Sequence, residues 1–147
     1  MKKVLNTIFL FIFTTASLVT LVSCESKTQK ELESLKEQLK DQEKQEKQKE
    51  ESILLGRARK SGRTMGGKDF EDSYFYFVRM FDTKETITPQ LQNDKPKRRE
   101  NSEMTFRDVN KYEFDSNMLE KLVKEWRLGY DEGWNDSYNY YMNRNTW

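Results

Sequence analysis

Residues 116–143 read SNMLEKLVKEWRLGYDEGWNDSYNYYMN and carry the clearest helical pattern in the chain. Apolar residues recur every three or four positions in its first half, which is the spacing of one face of an α-helix. Ser116 or Asn117 is expected to cap the start of this helix, with Glu120 in its first turn. The apolar face consists of Leu119, Leu122, Val123, Trp126 and Tyr130.

From position 127 the same stretch divides into the four-residue units RLGY, DEGW, NDSY and NYYM. Gly129 and Gly133 stand in the third position of the first two units, and Tyr130 and Trp134 stand in the fourth. On a helix, this repeat produces a groove of small residues beside a ridge of aromatic residues. Glycine inside a helix costs about 0.8–1.0 kcal/mol relative to alanine. We therefore expect another part of a protein to approach this groove closely.

Three occupants of the groove remain open from the sequence. The rings of residues 70–82 would fill it from within the chain, or a partner helix or second copy would pack against it. Alternatively, exposed aromatic rings would stack on the sugars of a cell-wall glycan. Paired glycines of this spacing usually join helices in lipid, but acidic neighbours make this helix too polar to insert. The candidate interaction surface consists of Trp126, Gly129, Tyr130, Gly133, Trp134, Ser137, Tyr138 and Tyr141.

All aromatic residues except three near the N-terminus lie within residues 70–147, and we place a small folded domain there. Aromatic rings bury large apolar areas, so this segment can build a core. The apolar spacing of residues 70–82 favours a helix, although 74–81 also has the composition of a strand.

Residues 83–103 contain both prolines and are predicted to form a long surface loop. Residues 104–114 fit either a short helix or a strand. The expected fold class is therefore mainly α, with short strands at 74–81 and 104–114 as the alternative.

Residues 61–69 (SGRTMGGKD) combine glycines with basic residues and are predicted to be a flexible basic hinge. Residues 62–68 match the G-x-x-x-x-G-K pattern of a phosphate-binding loop. We reject that interpretation because the motif follows a buried strand, and Asp69 stands where a magnesium-binding Ser or Thr belongs. A contact of the basic segment with anionic polymers or lipid headgroups is the alternative to a simple hinge.

Residues 24–60 form the predicted tether of the domain, with a helix over 27–58. This helix contains no proline, and Glu, Lys, Gln and Leu are strong helix formers. Opposite charges recur three or four residues apart, which adds stability to a helix. Leu32, Leu35 and Leu39 fit the seam of a coiled coil, but charged residues follow in the same register. A solvated spacer, a weak coiled coil and a disordered segment all remain open.

The chain starts with MKK and continues with an apolar stretch over residues 4–22, which is the layout of a signal peptide. The stretch ends in Leu21-Val22-Ser23-Cys24, and Cys24 is the single cysteine. This ending resembles the lipobox of bacterial lipoproteins, in which an aliphatic residue and a small residue precede an invariant cysteine. An uncleaved membrane-spanning helix is the alternative, because about 20 apolar residues can cross a bilayer.

The resemblance covers residues 1–24 alone and implies a defined modification. Residues 1–23 would be the lipoprotein signal peptide, cut between Ser23 and Cys24. A diacylglycerol would be attached to the Cys24 sulfur. The resemblance thus implies a lipid-anchored protein of a bacterial cell membrane or outer membrane, with its mature part outside the cytoplasm.

The composition excludes several functions. With 26 Lys and Arg against 25 Asp and Glu, the chain lacks the basic excess of a nucleic-acid-binding protein. The absence of histidine removes the commonest general base and metal ligand. We therefore expect no enzymatic activity, no metal and no cofactor other than the lipid. The favoured function is an interaction module, and the alternatives are an oligomeric tether through residues 27–55 and an exclusion or immunity lipoprotein of a mobile element.

Overall fold

In the residues that the computed structural model describes, the chain forms three helices: α1 (Lys2–Met80), α2 (Lys84–Asn110) and α3 (Ser116–Asn143). The structure describes the backbone of residues 2–81 and 83–144, and the side chains of residues 29–81 and 83–144. No strand occurs in these ranges. The predicted fold class, mainly α with a long charged N-terminal helix, is confirmed.

The chain divides into an N-terminal unit, Met1–Gln48, and a C-terminal unit, Lys49–Trp147. In the N-terminal unit, every described side chain, from residue 29 to residue 48, is exposed to solvent. Leu32, Leu35 and Leu39 are among them, each with more than half of its surface accessible. The charged helix therefore forms as predicted and presents its leucines to solvent.

The glycine-rich segment 61–69 is also helical and lies inside α1. The prediction that its glycines break the helix is wrong. None of the glycines, all of which lie in the described ranges, has a positive φ angle. The glycines of this segment allow close packing in the C-terminal unit, and they do not form a turn.

The C-terminal unit contains the last part of α1 together with α2 and α3. Contacts between α1 and α3 advance together along both helices, from Glu51–Lys121 to Arg63–Asp136, so these helices run parallel. Contacts between α2 and α3 run in opposite directions, since Arg107 pairs with Glu120 and Lys95 with Asp131. Helix α2 is therefore antiparallel to the other two.

The core of the C-terminal unit combines aromatic and aliphatic side chains from all three helices. Its members are Ala58, Phe70, Ile87, Leu91, Leu122, Trp126, Tyr130, Trp134 and Met142. The rings of Trp126, Tyr130 and Trp134 follow one another along α3, with centroids 5.2 and 6.3 Å apart. The apolar face read from the sequence of α3 is thus the face that enters the core.

Helix α2 occupies the segment predicted to be a loop, so the loop at 83–103 is wrong. It begins after Thr83, whose hydroxyl accepts a hydrogen bond from the Thr86 N–H, and it continues through Pro89 and Pro96. A proline inside a helix removes one backbone donor. Both prolines are exposed, so water can satisfy the carbonyl groups that lose their donors.

The strands considered at 74–81 and 104–114 are also absent. Residues 74–80 belong to α1, and residues 104–110 belong to α2, followed by a turn. Their aromatic and β-branched composition reflects packing on a helical core. Tertiary contacts override a local strand preference of this size.

Helix α3 covers Ser116–Asn143, as the sequence predicts, but its N-cap is Asp115, one residue before the expected capping residues. Asp115 is the N-cap, and its carboxylate accepts a hydrogen bond of 2.8 Å from the Met118 N–H. The prediction that Ser116 or Asn117 caps this helix is therefore wrong. Asp, Asn and Ser are similar as N-caps, so the composition of this segment leaves the position open.

Candidate interaction surface

The small-residue groove of α3 is filled by the backbone of α1. A Cβ atom added to Gly62 would overlap the Trp126 carbonyl oxygen and lie 2.9 Å from the Tyr130 nitrogen. One turn later, a Cβ at Gly66 would overlap the Tyr130 carbonyl oxygen. These two glycines therefore allow α1 to approach α3 at backbone distance.

The glycines of α3 make the reciprocal contact. A Cβ at Gly129 would overlap the carbonyl oxygen of Arg59, and a Cβ at Gly133 would overlap that of Arg63. Two pairs of glycines spaced by four residues, Gly62/Gly66 and Gly129/Gly133, thus face each other across parallel helices. Paired small residues of this spacing allow close helix packing. Here they do so inside the C-terminal unit.

The groove is therefore occupied from within the chain, as one of the three alternatives proposed. The occupant, however, is the segment 59–66 of α1 rather than the rings of residues 70–82. Those rings lie beyond the glycine contact. Phe70 packs edge to face on Trp134 at 5.3 Å and on Tyr138 at 6.0 Å between ring centroids.

Ion pairs border the glycine contact on the exposed side. Arg59 pairs with Glu132 and, at 3.5 Å, with Glu125. Arg63 pairs with Asp136 at 2.6 Å. The hydrogen bond from Arg59 lowers the pKa of the Glu132 carboxyl below its usual range. Two of the basic residues in this region are therefore engaged with α3.

A buried polar cluster joins the three helices behind the aromatic ridge. Asp69 of α1 is 8% exposed, and its Oδ2 accepts hydrogen bonds from Tyr130 Oη at 2.9 Å and from Ser102 Oγ at 2.7 Å. Ser73 is fully buried and lies 2.6 Å from Asp94 Oδ2. Buried polar groups are stabilised when they are hydrogen-bonded in this way.

Burial and the neighbouring Asp69 carboxylate together raise the pKa of Tyr130 far above its usual range. The phenol therefore stays protonated and acts as a hydrogen-bond donor to Asp69. This role is structural. The sequence missed the cluster because its members lie on three separate helices, and because α2 was expected to be a loop.

The eight residues of the candidate interaction surface fall into two groups. Ser137, Tyr138 and Tyr141 remain partly accessible. The other five are buried in the C-terminal unit: Trp126, Gly129, Tyr130, Gly133 and Trp134. The exposed part of the aromatic ridge is therefore its C-terminal end.

At this end, aromatic residues of α1 extend the ridge into a continuous patch. Tyr141 lies 4.9 Å from Tyr74, 5.7 Å from Phe75 and 5.0 Å from Tyr140, measured between ring centroids. About half of Phe75 and half of Tyr140 is exposed. We call these four residues the aromatic patch. The sequence placed Tyr141 in the surface, but it did not reveal the contribution of α1.

Ser23 and Cys24, the predicted cleavage and lipidation residues, lie outside the residues whose side chains are described. The predicted signal peptide 1–23 lies there as well. Among the described residues, none of the helices has a run long and apolar enough to cross a membrane.

No known protein-family model, characterised protein or solved structure matches the chain.

Proposed function

We propose that the chain is a membrane-anchored bacterial envelope lipoprotein that acts as a non-enzymatic interaction module. The observation that carries the proposal is Leu21-Val22-Ser23-Cys24 at the end of an apolar stretch. In the proposed mature protein, a lipid on Cys24 holds the chain in the cell membrane or outer membrane, outside the cytoplasm. Each buried CH₂ contributes about 0.8 kcal/mol, and two acyl chains suffice for stable anchoring.

The test of the anchor is metabolic labelling with palmitate in a bacterial host. Wild-type protein should incorporate the label and migrate as the cut form. The Cys24→Ser protein should do neither. A Ser26→Ala variant serves as the control, since Ser26 lies two residues after Cys24 and the variant should label normally. Labelling of Cys24→Ser would contradict the proposal.

The aromatic patch supports a role in recognition. Aromatic rings bury large apolar areas, and tyrosine also offers a hydroxyl, which suits it to protein interfaces and to sugar rings. Arg144 adds a cation 4.3 Å from the centre of the Tyr140 ring. A protein partner, a second copy or a cell-wall glycan would be bound through this patch, and no nucleic acid is involved in the proposal.

A photo-crosslinking amino acid at position 140 tests the patch in whole cells. The matched control is the same amino acid at position 112, because Tyr112 is 89% exposed and contributes to none of the aromatic ring contacts above. A crosslinked species specific to position 140 supports recognition through the patch. Equal crosslinking at both positions would contradict it.

A second candidate function is an oligomeric tether. The exposed leucines Leu32, Leu35 and Leu39 favour it, since their spacing places them on one helix face. Sedimentation of a chain that starts at residue 25 should then show an oligomer. Leu35→Lys combined with Leu39→Lys should convert it to a monomer, and a wild-type monomer would exclude this function.

A further inference from the structure

A cavity of about 470 Å³ that is open to solvent lies in the C-terminal unit, where the three helices meet near the connection between α2 and α3. Its walls are mainly apolar and include Leu54, Ala58, Phe106, Val109, Leu122 and Trp126. Sites for small molecules in proteins have volumes of about 300–1,000 Å³ and a similar lining. The cavity therefore has the size and the chemistry of a site for one small apolar molecule.

A second groove, of about 410 Å³, runs along α1 and shares Arg57, Ser61 and Met65 with the cavity. Arg57, Lys60 and Lys68 line this groove, and none of its described lining residues is a carboxylate. These three cations form no ion pair with any residue that the structure describes. Glu113 lines the cavity. Among its described lining residues, the combined site therefore has three unpaired cations and one carboxylate.

This arrangement differs from the neighbouring basic residues of α1. Arg59 and Arg63 are paired with carboxylates of α3 across the helix contact. The three cations of the groove have no such carboxylate partner among the described residues. They remain available for an anion whose apolar part occupies the adjacent cavity.

We propose that the cavity and groove bind a free fatty acid. The acyl chain occupies the cavity, and the carboxylate lies on Arg57, which lines both spaces. Arginine binds carboxylates through two parallel hydrogen bonds, and Lys60 adds positive charge. The cavity has the volume of a pocket for one drug-sized molecule, which favours a single acyl chain over a two-chain phospholipid.

The test uses the full chain in phosphatidylcholine nanodiscs, with ¹³C-methyl-methionine labelling and NMR detection. Met65 lines both spaces, whereas Met80 is exposed and lines neither. Octanoate should cause a saturable shift of the Met65 methyl signal and leave Met80 unchanged. Decanoate should bind more tightly, by about fourfold for each added methylene. Octyltrimethylammonium, with the same tail length and the opposite charge, should bind more weakly than octanoate.

Three variants separate the two parts of the site. Arg57→Glu should weaken octanoate binding by at least about threefold, since it replaces attraction with repulsion at a partly screened site. Arg79→Glu makes the same charge change on α1 outside the site and should bind octanoate normally. Val109→Trp should block the cavity, and circular dichroism should show its fold intact because Val109 is 72% exposed.

A saturable shift that depends on Arg57 and on an open cavity supports the proposal. Absence of a saturable shift would overturn it, as would equal binding of octanoate and octyltrimethylammonium. A Met65 shift that appears in phosphatidylglycerol nanodiscs without octanoate would assign the site to a membrane headgroup and would also overturn it.

Discussion

At the residue scale, glycine at position 62 is required by the distance between two backbones. A methyl group there would overlap the Trp126 carbonyl oxygen. Moving α1 away from α3 to make room would separate the other glycine contacts between these two helices. We expect Gly62→Ala to destabilise the C-terminal unit by about 1–3 kcal/mol or more, as overpacking does. Urea unfolding followed by tryptophan fluorescence measures this loss, because Trp126 and Trp134 are buried.

Gly56 provides the matched control on the same helix. A Cβ at Gly56 would meet nothing within 4 Å. Gly56→Ala should therefore stabilise the helix by about 0.5–1 kcal/mol, the usual gain when alanine replaces an unneeded glycine. A similar gain for Gly62→Ala would show that the two helices do not touch at this point.

The second prediction at this scale concerns the hydroxyl of Tyr130. It donates to the buried carboxylate of Asp69, which then depends on Ser102 alone if the hydroxyl is removed. We expect Tyr130→Phe to cost about 1–3 kcal/mol, because a buried acceptor loses a donor. Thermal unfolding measures it. Tyr140→Phe makes the same chemical change on an exposed ring, and its free energy of unfolding should stay within about 0.5 kcal/mol of the wild-type value. Equal stability of the two variants would contradict a role of the Tyr130 hydroxyl as donor to Asp69.

At the element scale, the start of α3 depends on Asp115. Its side chain accepts the Met118 N–H, so Asp115→Ala should destabilise the unit by about 1 kcal/mol. Ser116→Ala should have a much smaller effect, since Ser116 follows the cap. Circular dichroism during thermal unfolding distinguishes the two variants. The reverse order would place the cap where the sequence suggested it.

The sequence pattern predicts some of the helices more clearly than others, because the chemistry of their buried faces differs. The face of α3 is marked by apolar residues such as Leu122, Trp126 and Tyr130, so its periodicity is clear. In α2, Ile87 and Leu91 are the buried apolar residues, and the same face continues with Asp94 and Ser102. Where the inner face of a helix carries partly buried hydrogen-bonding residues, its hydrophobic period is interrupted and hard to detect.

The sequence predicted one side of the glycine contact, the side on α3. The spacing of Gly129 and Gly133 indicated a close approach, and that prediction is confirmed by the overlap of both positions with the backbone of α1. Gly62 and Gly66 have the same spacing, yet their basic surroundings suggested a hinge. Glycine alone indicates either a break or a close contact. The sequence does not show which partner lies opposite, because the two segments are separated by more than 60 positions.

At the scale of the whole molecule, charge pairing joins the C-terminal half of α2 to the first half of α3 in the C-terminal unit. Glu103 accepts hydrogen bonds from Arg127, at 2.5 and 2.7 Å, and from Arg107 at 3.0 Å. Arg107 also pairs with Glu120. The Glu103 side chain is 12% exposed, so this carboxylate is held between two guanidinium groups with little access to water.

This geometry gives the fold a defined dependence on pH. The hydrogen bond from Arg127, opposed by burial and aided by Arg107, lowers the pKa of Glu103 below its ordinary value of 4.5. A carboxylate with a lowered pKa stabilises the folded state above its unfolded pKa and loses that contribution as the pH falls through its folded pKa. Stability should therefore decrease on acidification below about pH 4.5.

Glu103→Gln should lower the free energy of unfolding at neutral pH. It should also make the loss of stability below about pH 4.5 less steep than in the wild type. Urea unfolding at several pH values measures both effects. Glu100→Gln, an exposed substitution on the same helix, should keep the wild-type slope. If the free energy of unfolding of Glu103→Gln falls with acidification as steeply as that of the wild type, other carboxylates control the acid dependence.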